Sequence, residues 1–283
     1  LPPGALAVAS HSRSMWRRHY ALPVEHGSWI WLLGPLAVGV AAARRLGPDL
    51  APLVLAVLAA FLLRQPATVA VKAFTGRRTR EDLKPALAWL AGYSLLAALG
   101  LGWLLRAGHG QLLALALPGI PVFAWHLWLV GRRRERGQPG VEIVAAGTLA
   151  LAAPAAYWTA GGESARVGWI LWLLTWLQAA GSIVYIHLRL QQRGWEQLPS
   201  GRQRWRLGAR ALAYAGFNLL VCLLLSGIGW APPLAPWAFV LTLVETLQGV
   251  HWPAVGAPAR AIGLRQLGSS ALFLLLLGLA YLV

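Results

Sequence analysis

The stretch LPVEHGSWIW, residues 22–31, sets Glu25 and His26 just before an uncharged apolar run. A histidine titrates near neutral pH, and a neighbouring carboxylate can orient it or pair with an arginine. Gly27 lets a backbone or a ligand come close. Further on, Arg64 and Gln65 precede Pro66, and Lys72 follows two helical turns after Arg64. Guanidinium and ammonium groups bind phosphate or carboxylate directly. Ser182, Tyr185 and Arg189 are spaced i, i+3, i+7, and Glu245 and Gln248 are spaced i, i+3, so each set shares one helix face. Asn218 adds a deep amide. We read His26, Glu25 and Glu245 as acid–base candidates. Arg64, Gln65, Lys72, Ser182, Tyr185, Arg189, Asn218 and Gln248 are read as ligand-binding candidates. No metal site is expected, and no nucleotide loop, zinc motif or haem motif stands out, so no cofactor is expected.

The elements that hold these residues follow from composition. The chain is 58% hydrophobic and 12% charged, with mean hydropathy +0.57. Soluble domains carry about 25% charged residues, so an integral membrane protein is expected. Cys222 is the one cysteine, which excludes an intramolecular disulfide and a Cys-based metal site. Apolar runs of about 20 residues mark spans. They are read at 28–43, 50–70, 86–105, 111–130, 140–160, 167–188, 208–227, 234–251 and 264–282. The fold expected is an all-α polytopic bundle of about nine transmembrane helices. Residues 1–22 read as an N-terminal tail and 23–283 as one transmembrane domain. The opening LPPGALAVAS lacks the basic n-region of a signal peptide, and native translation is expected to start at Met15.

A net charge of +16 could suggest nucleic acid. The basic residues instead sit in short gaps between apolar runs, so no nucleic acid partner is expected. Of the 25 Lys and Arg, 21 fall on one side, in alternate gaps or, for Arg64, Arg210 and Arg265, in the adjoining part of a span, and 4 on the other. By the positive-inside rule this puts the N-terminus in the cytoplasm. Trp103, Trp158, Trp169, Trp230 and Trp237 fall near one set of span ends and Trp29, Trp125 and Trp252 near the other, as an aromatic belt would. On this topology nearly all intramembrane polar groups lie in the cytoplasmic half, including His126, Gln178 and His187. Glu245 sits roughly 9 Å inside its helix end at 1.5 Å per residue. One depth shared by many helices describes a single cavity open to the cytoplasm.

The segment PVEHGSWIWLLGP, residues 23–35, with its proline, His-Gly, small residue, tryptophan and later Pro35, resembles the opening of the YwiC-like family of bacterial membrane proteins. Family members more often carry Gln at the place of Glu25. FLLRQPATVAVKAFTGRR in the second span is similar as well, and the resemblance is expected to run from Met15 to the C-terminus. The helix layout separately resembles UbiA-type intramembrane prenyltransferases, with long cytoplasmic loops after spans two and six. That resemblance implies a prenyl diphosphate site at those two places, held through magnesium by aspartates. Here Arg64, Gln65 and Lys72, and then Ser182, Tyr185 and Arg189, stand there instead, so the magnesium mechanism does not carry over.

The reading that results is a cationic cavity that binds an isoprenoid or a phosphorylated lipid, with membrane lipids as partners and metal-independent transfer left open. A small-anion transporter, or a non-catalytic lipid- or quinone-binding subunit or assembly factor, are the alternatives. A lipid site predicts an apolar tunnel leading from the cations. A transporter predicts polar residues continuing to the far face.

Overall fold

The computed structural model describes residues 18–23, 27–135 and 137–283. Glu25 and His26 lie outside the described residues. Helices form at each of the expected apolar runs. After a short turn α1 (Arg18–Ala21) come α2 (Gly27–Ala43), α3 (Leu50–Leu62), α4 (Arg64–Phe74), α5 (Leu83–Arg106), α6 (Leu112–Ala116), α7 (Gly119–Gly131), α8 (Pro139–Ala150), α9 (Ala152–Thr159), α10 (Ala165–Gln192), α11 (Gly201–Gly227), α12 (Ala235–His251) and α13 (Ala259–Leu282). No strand occurs among the described residues. The protein is an all-α polytopic membrane bundle. Seven helices or kinked helix pairs are long and apolar enough to cross a bilayer. The other two, α2 and α12, have 17 residues each, about 26 Å at 1.5 Å per residue.

Three spans are kinked, each for the same reason. Proline has no N–H and its ring crowds the carbonyl four residues back. Pro66, Pro121 and Pro154 point that defect at Leu62, Leu117 and Ala150, which end α3, follow the end of α6 and end α8. The ladder resumes beyond each break, as in Ala67 N to Leu63 O (3.1 Å) and Ala155 N to Leu151 O (3.2 Å). At the third kink Leu151 N donates to Thr148 O, and the carbonyl of Gly147 instead receives Trp172 Nε1 at 2.9 Å. In a bilayer a stray carbonyl must find a protein donor, and a neighbouring tryptophan supplies it.

The basic ends of several spans extend further than their apolar cores. α10 runs to Gln192, and α11 begins at Gly201, just after Ser200, whose hydroxyl accepts from Gln203 N. Arg and Gln are good helix formers and Ser is a good N-cap, so helix continues where hydrophobicity ends. The loop expected between the sixth and seventh spans, 189–207, shrinks to 193–200.

Between lipid-like surfaces, packing rather than water exclusion drives association, and small residues permit close approach. α2 sits at the centre against α9 and α13. A Cβ on Gly39 would strike Ala153 O and press on Ala156, so the α2–α9 crossing is backbone against backbone. Gly100 of α5 meets Pro52 O and Ala56 of α3 in the same way. α3 to α7 gather on one side and α10 to α13 on the other, with α2 and α8–α9 between them. The second group has a tight apolar core in which Phe239 and Phe273 meet edge-to-face, 4.8 Å between centroids.

Candidate functional site

The candidate residues divide between two places. The first is a groove of about 440 Å³ between α3–α4, α5, α6–α7 and α8–α9. Its walls are leucine, alanine, valine, Phe61 and Phe123, and its polar side chains are Arg64, His126 and Thr148. Arg64 opens α4 at the kink, where the turn before it is broken. His126 Nε2 lies 3.4 Å from Thr68 Oγ1, one turn beyond Arg64. From Arg64 back to Leu53 the lining is apolar for eleven residues of helix, roughly 16 Å at 1.5 Å per residue. The groove is therefore amphipathic along its length, with a cation and an imidazole at the basic-loop end and hydrocarbon beyond.

Gln65 and Lys72 do not line it. Gln65 Nε2 donates to His19 O at 2.7 Å. Lys72 Nζ is 3.4 Å from Glu135 Oε1, and Arg77 Nη2 is 2.8 Å from the same oxygen. Arg77 also donates to Val130 O (2.6 Å), so the trio clasps the end of α4 to the end of α7. Hydrogen bonds from Arg77 hold the Glu135 carboxyl down at about 2, with Lys72 adding to the effect against the cost of burial. At the opposite end of the bundle, His109 and Trp103 reach the Asp49 carboxylate at 3.1 Å each. Those two bonds, that of His109 first, keep Asp49 below the usual carboxylate range.

The second place is a cavity of about 180 Å³ at the basic-loop end, lined by Tyr185 and Arg189 of α10, Glu245 of α12, and Arg265 and Gln266 of α13. Glu245 is buried. Its Oε1 accepts from Ser269 Oγ at 2.7 Å and lies 3.8 Å from Arg265 Nε. Tyr185 donates to Glu245 O, and a Cβ on Gly249 would collide with its hydroxyl. Arg189 Nη1 donates to Gln192 Oε1, Gly249 O and Trp252 O, each at 2.9 Å. Gln192 Nε2 also reaches Gly249 O, and Arg204 Nη1 reaches His251 O at 2.6 Å. The bare carbonyls that end α12 are thus capped by cations and an amide.

Ser182 and Gln248 border this cavity through α13: Gln266 donates to Ser182 Oγ at 2.9 Å and Arg265 to Gln248 Oε1 at 3.4 Å. Asn218 is elsewhere, donating to Leu177 O at 2.6 Å to join α11 to α10. Gln178 does the same toward α13, at Ser270 Oγ. The sequence reading missed Arg265, Gln266 and Ser269. Arg265 was counted only as a topology charge, although Arg265 with Ser269 and Gln266 with Ser270 form two i, i+4 pairs on a span.

Helix lengths, kinks and buried polar groups together define a multi-pass membrane protein. A family model described as YwiC-like protein matches residues 22–157. The resemblance read from residues 23–35 and from the second span is borne out over that region, which is shorter than the Met15-to-C-terminus stretch expected. Every residue lining the groove falls inside it, and every residue lining the cavity falls beyond it. No curated protein and no solved structure matches the chain. The UbiA-like layout therefore stands on span number and loop position alone.

Proposed function

We propose that this protein binds an amphipathic lipid in the groove, with an isoprenoid or acyl chain among the leucines and alanines and an anionic phosphate at Arg64. The observation that carries this reading is a guanidinium placed at a helix kink where an apolar groove of about 440 Å³ begins. That volume falls within the roughly 300–1,000 Å³ of small-molecule sites. A charge-assisted bond between arginine and phosphate contributes about 1.5–3 kcal/mol, and His126 adds a second donor at the same level. The apolar lining beyond Arg64 disfavours a polar path through the bundle and so favours binding over transport. The positive-inside bias supports a cytoplasmic basic end, in a bacterial inner membrane, with the head group drawn from the leaflet on that side. Acid–base chemistry on the bound phosphate would fall to His26 and Glu25 if they face the groove.

The test is native mass spectrometry of the full chain in nanodiscs doped with a polyprenyl phosphate or with the matching polyprenol. Retention of the phosphate over the alcohol, reduced at least tenfold in Arg64→Ala, is the expected result. Equal retention of both lipids, or equal retention by the variant, would overturn the reading. If Glu25→Gln and His26→Ala each leave binding and folding unchanged, the EHG motif has no part in the site.

A further inference from the structure

The Glu245 cavity shares no lining residue with the groove, and its chemistry is different. We infer that it is a separate binding site for a small monocarboxylate that also carries a hydrogen-bond donor, such as a short hydroxy acid or amino acid.

The first argument is the donor and acceptor inventory. Arg189 has three bonds on Nη1, while its Nε and Nη2 carry no hydrogen bond among the described residues. A guanidinium offers five N–H groups in a planar fork, so Nη1 is spent on the α12 cap and the Nε–Nη2 edge remains. Arg265 stands half-exposed at the rim, with Nε toward Glu245 and Nη2 toward Gln248. Glu245 uses Oε1 for Ser269 and Arg265, and its Oε2 has no partner among the described residues. Gln266 donates to Ser182, and its Oε1 also lacks a partner there. The cavity thus presents unfilled cationic donors beside unfilled acceptors.

Charge narrows the ligand. Two guanidiniums and one carboxylate leave one surplus positive charge, which a monoanion neutralises. A carboxylate meets an arginine fork in matching planar geometry. Glu245 Oε2 then repels a second anionic group and calls for an O–H or N–H on the ligand. Size narrows it further. About 180 Å³ lies below the roughly 300–1,000 Å³ of drug-sized small-molecule sites, which suits a ligand of a few heavy atoms. Ala254, Ala257, Ala261 and Ile262 supply a short apolar wall suited to one or two carbons. The α12–α13 segment that contributes Ala254 and Ala257 belongs to the basic-loop end, so a soluble ligand reaches the cavity without crossing the bundle.

The experiment is titration calorimetry on the full chain in nanodiscs with four probes: lactate, serine, acetate and inorganic phosphate. Lactate or serine is expected to bind at least fivefold more tightly than acetate, which lacks the donor, and more tightly than phosphate. Arg265→Gln should weaken that probe at least tenfold, whereas Arg260→Gln, on the same helix outside the cavity, should not. Glu245→Gln keeps a partner for Ser269 and should erase the preference over acetate, so the test survives if one variant fails to fold. Absence of binding by all four probes, phosphate binding most tightly, or unchanged affinity in Arg265→Gln would each overturn the site.

Discussion

The groove and the cavity are built by opposite means. Around the groove, prolines 66, 121 and 154 break three spans within the bundle, and the volume left by the bends is apolar. In the cavity half, α10, α11 and α13 run unbroken for 28, 27 and 24 residues. There the prolines stand at helix ends, and polarity gathers where α12 stops. A bend inside the bilayer exposes few backbone groups and leaves room for a chain. A helix end exposes four carbonyls and must recruit cations, and the recruited cations make a polar pocket. The groove is therefore suited to hydrocarbon and the cavity to a small ion.

The strongest way to break this comparison is at the joint between the halves. Gly39→Leu would drive a side chain into Ala153 O, a backbone atom that cannot yield. Overpacking of that kind costs about 3 kcal/mol or more. The expected result is loss of monodisperse protein in detergent, read by size exclusion and thermal melting. Next in size is a pair. Arg189→Met leaves Trp252 O without its donor, while Gln192 still serves Gly249 O, and should lower stability by about 2 kcal/mol. Arg64→Ala should change stability less than Arg189→Met and lipid retention more. If the two variants behave alike in both assays, the distinction between an arginine that caps α12 and one that holds the lipid is wrong.

Smaller still is Trp172→Phe, which removes the donor to Gly147 O at the third kink. A loss of about 1 kcal/mol is expected, and no change would show that the kink carbonyl does not depend on it. The smallest effect is at the Glu135 clasp. Its carboxyl is lowered from 4.5 to about 2 in the folded protein, so its contribution is full above the ordinary carboxylate value and fades as pH falls through about 2. The melting-temperature gap between the native chain and Glu135→Gln should narrow from pH 6 to pH 2. A gap that stays constant would remove the clasp from the account.

Much of the architecture can be read from hydropathy alone, because a bilayer demands long apolar segments and penalises everything else. The Arg64-Gln65-Pro66 break and the alternating basic gaps were legible on the same grounds. The division into two sites was not. Spacing of Ser182, Tyr185 and Arg189 shows that they share a face, but not which helix that face meets. Depth likewise placed Arg64 and Glu245 at similar levels, and depth carries no information about lateral position. Lys72 looked like a phosphate ligand until its partner Glu135 appeared from sixty-odd residues away. Such long-range pairing leaves no local trace.

The cap on α12 has a consequence for how the chain is made. Translation proceeds from the N-terminus, so Arg189, Gln192 and Arg204 are synthesised before the carbonyls of Gly249, His251 and Trp252 exist. The sixth and seventh spans thus present a docking socket in advance, and the eighth and ninth spans arrive as a plug whose polar tip is neutralised on contact. A chain truncated before the eighth span would leave that socket open at the membrane surface, a ready target for the quality-control proteases that patrol it.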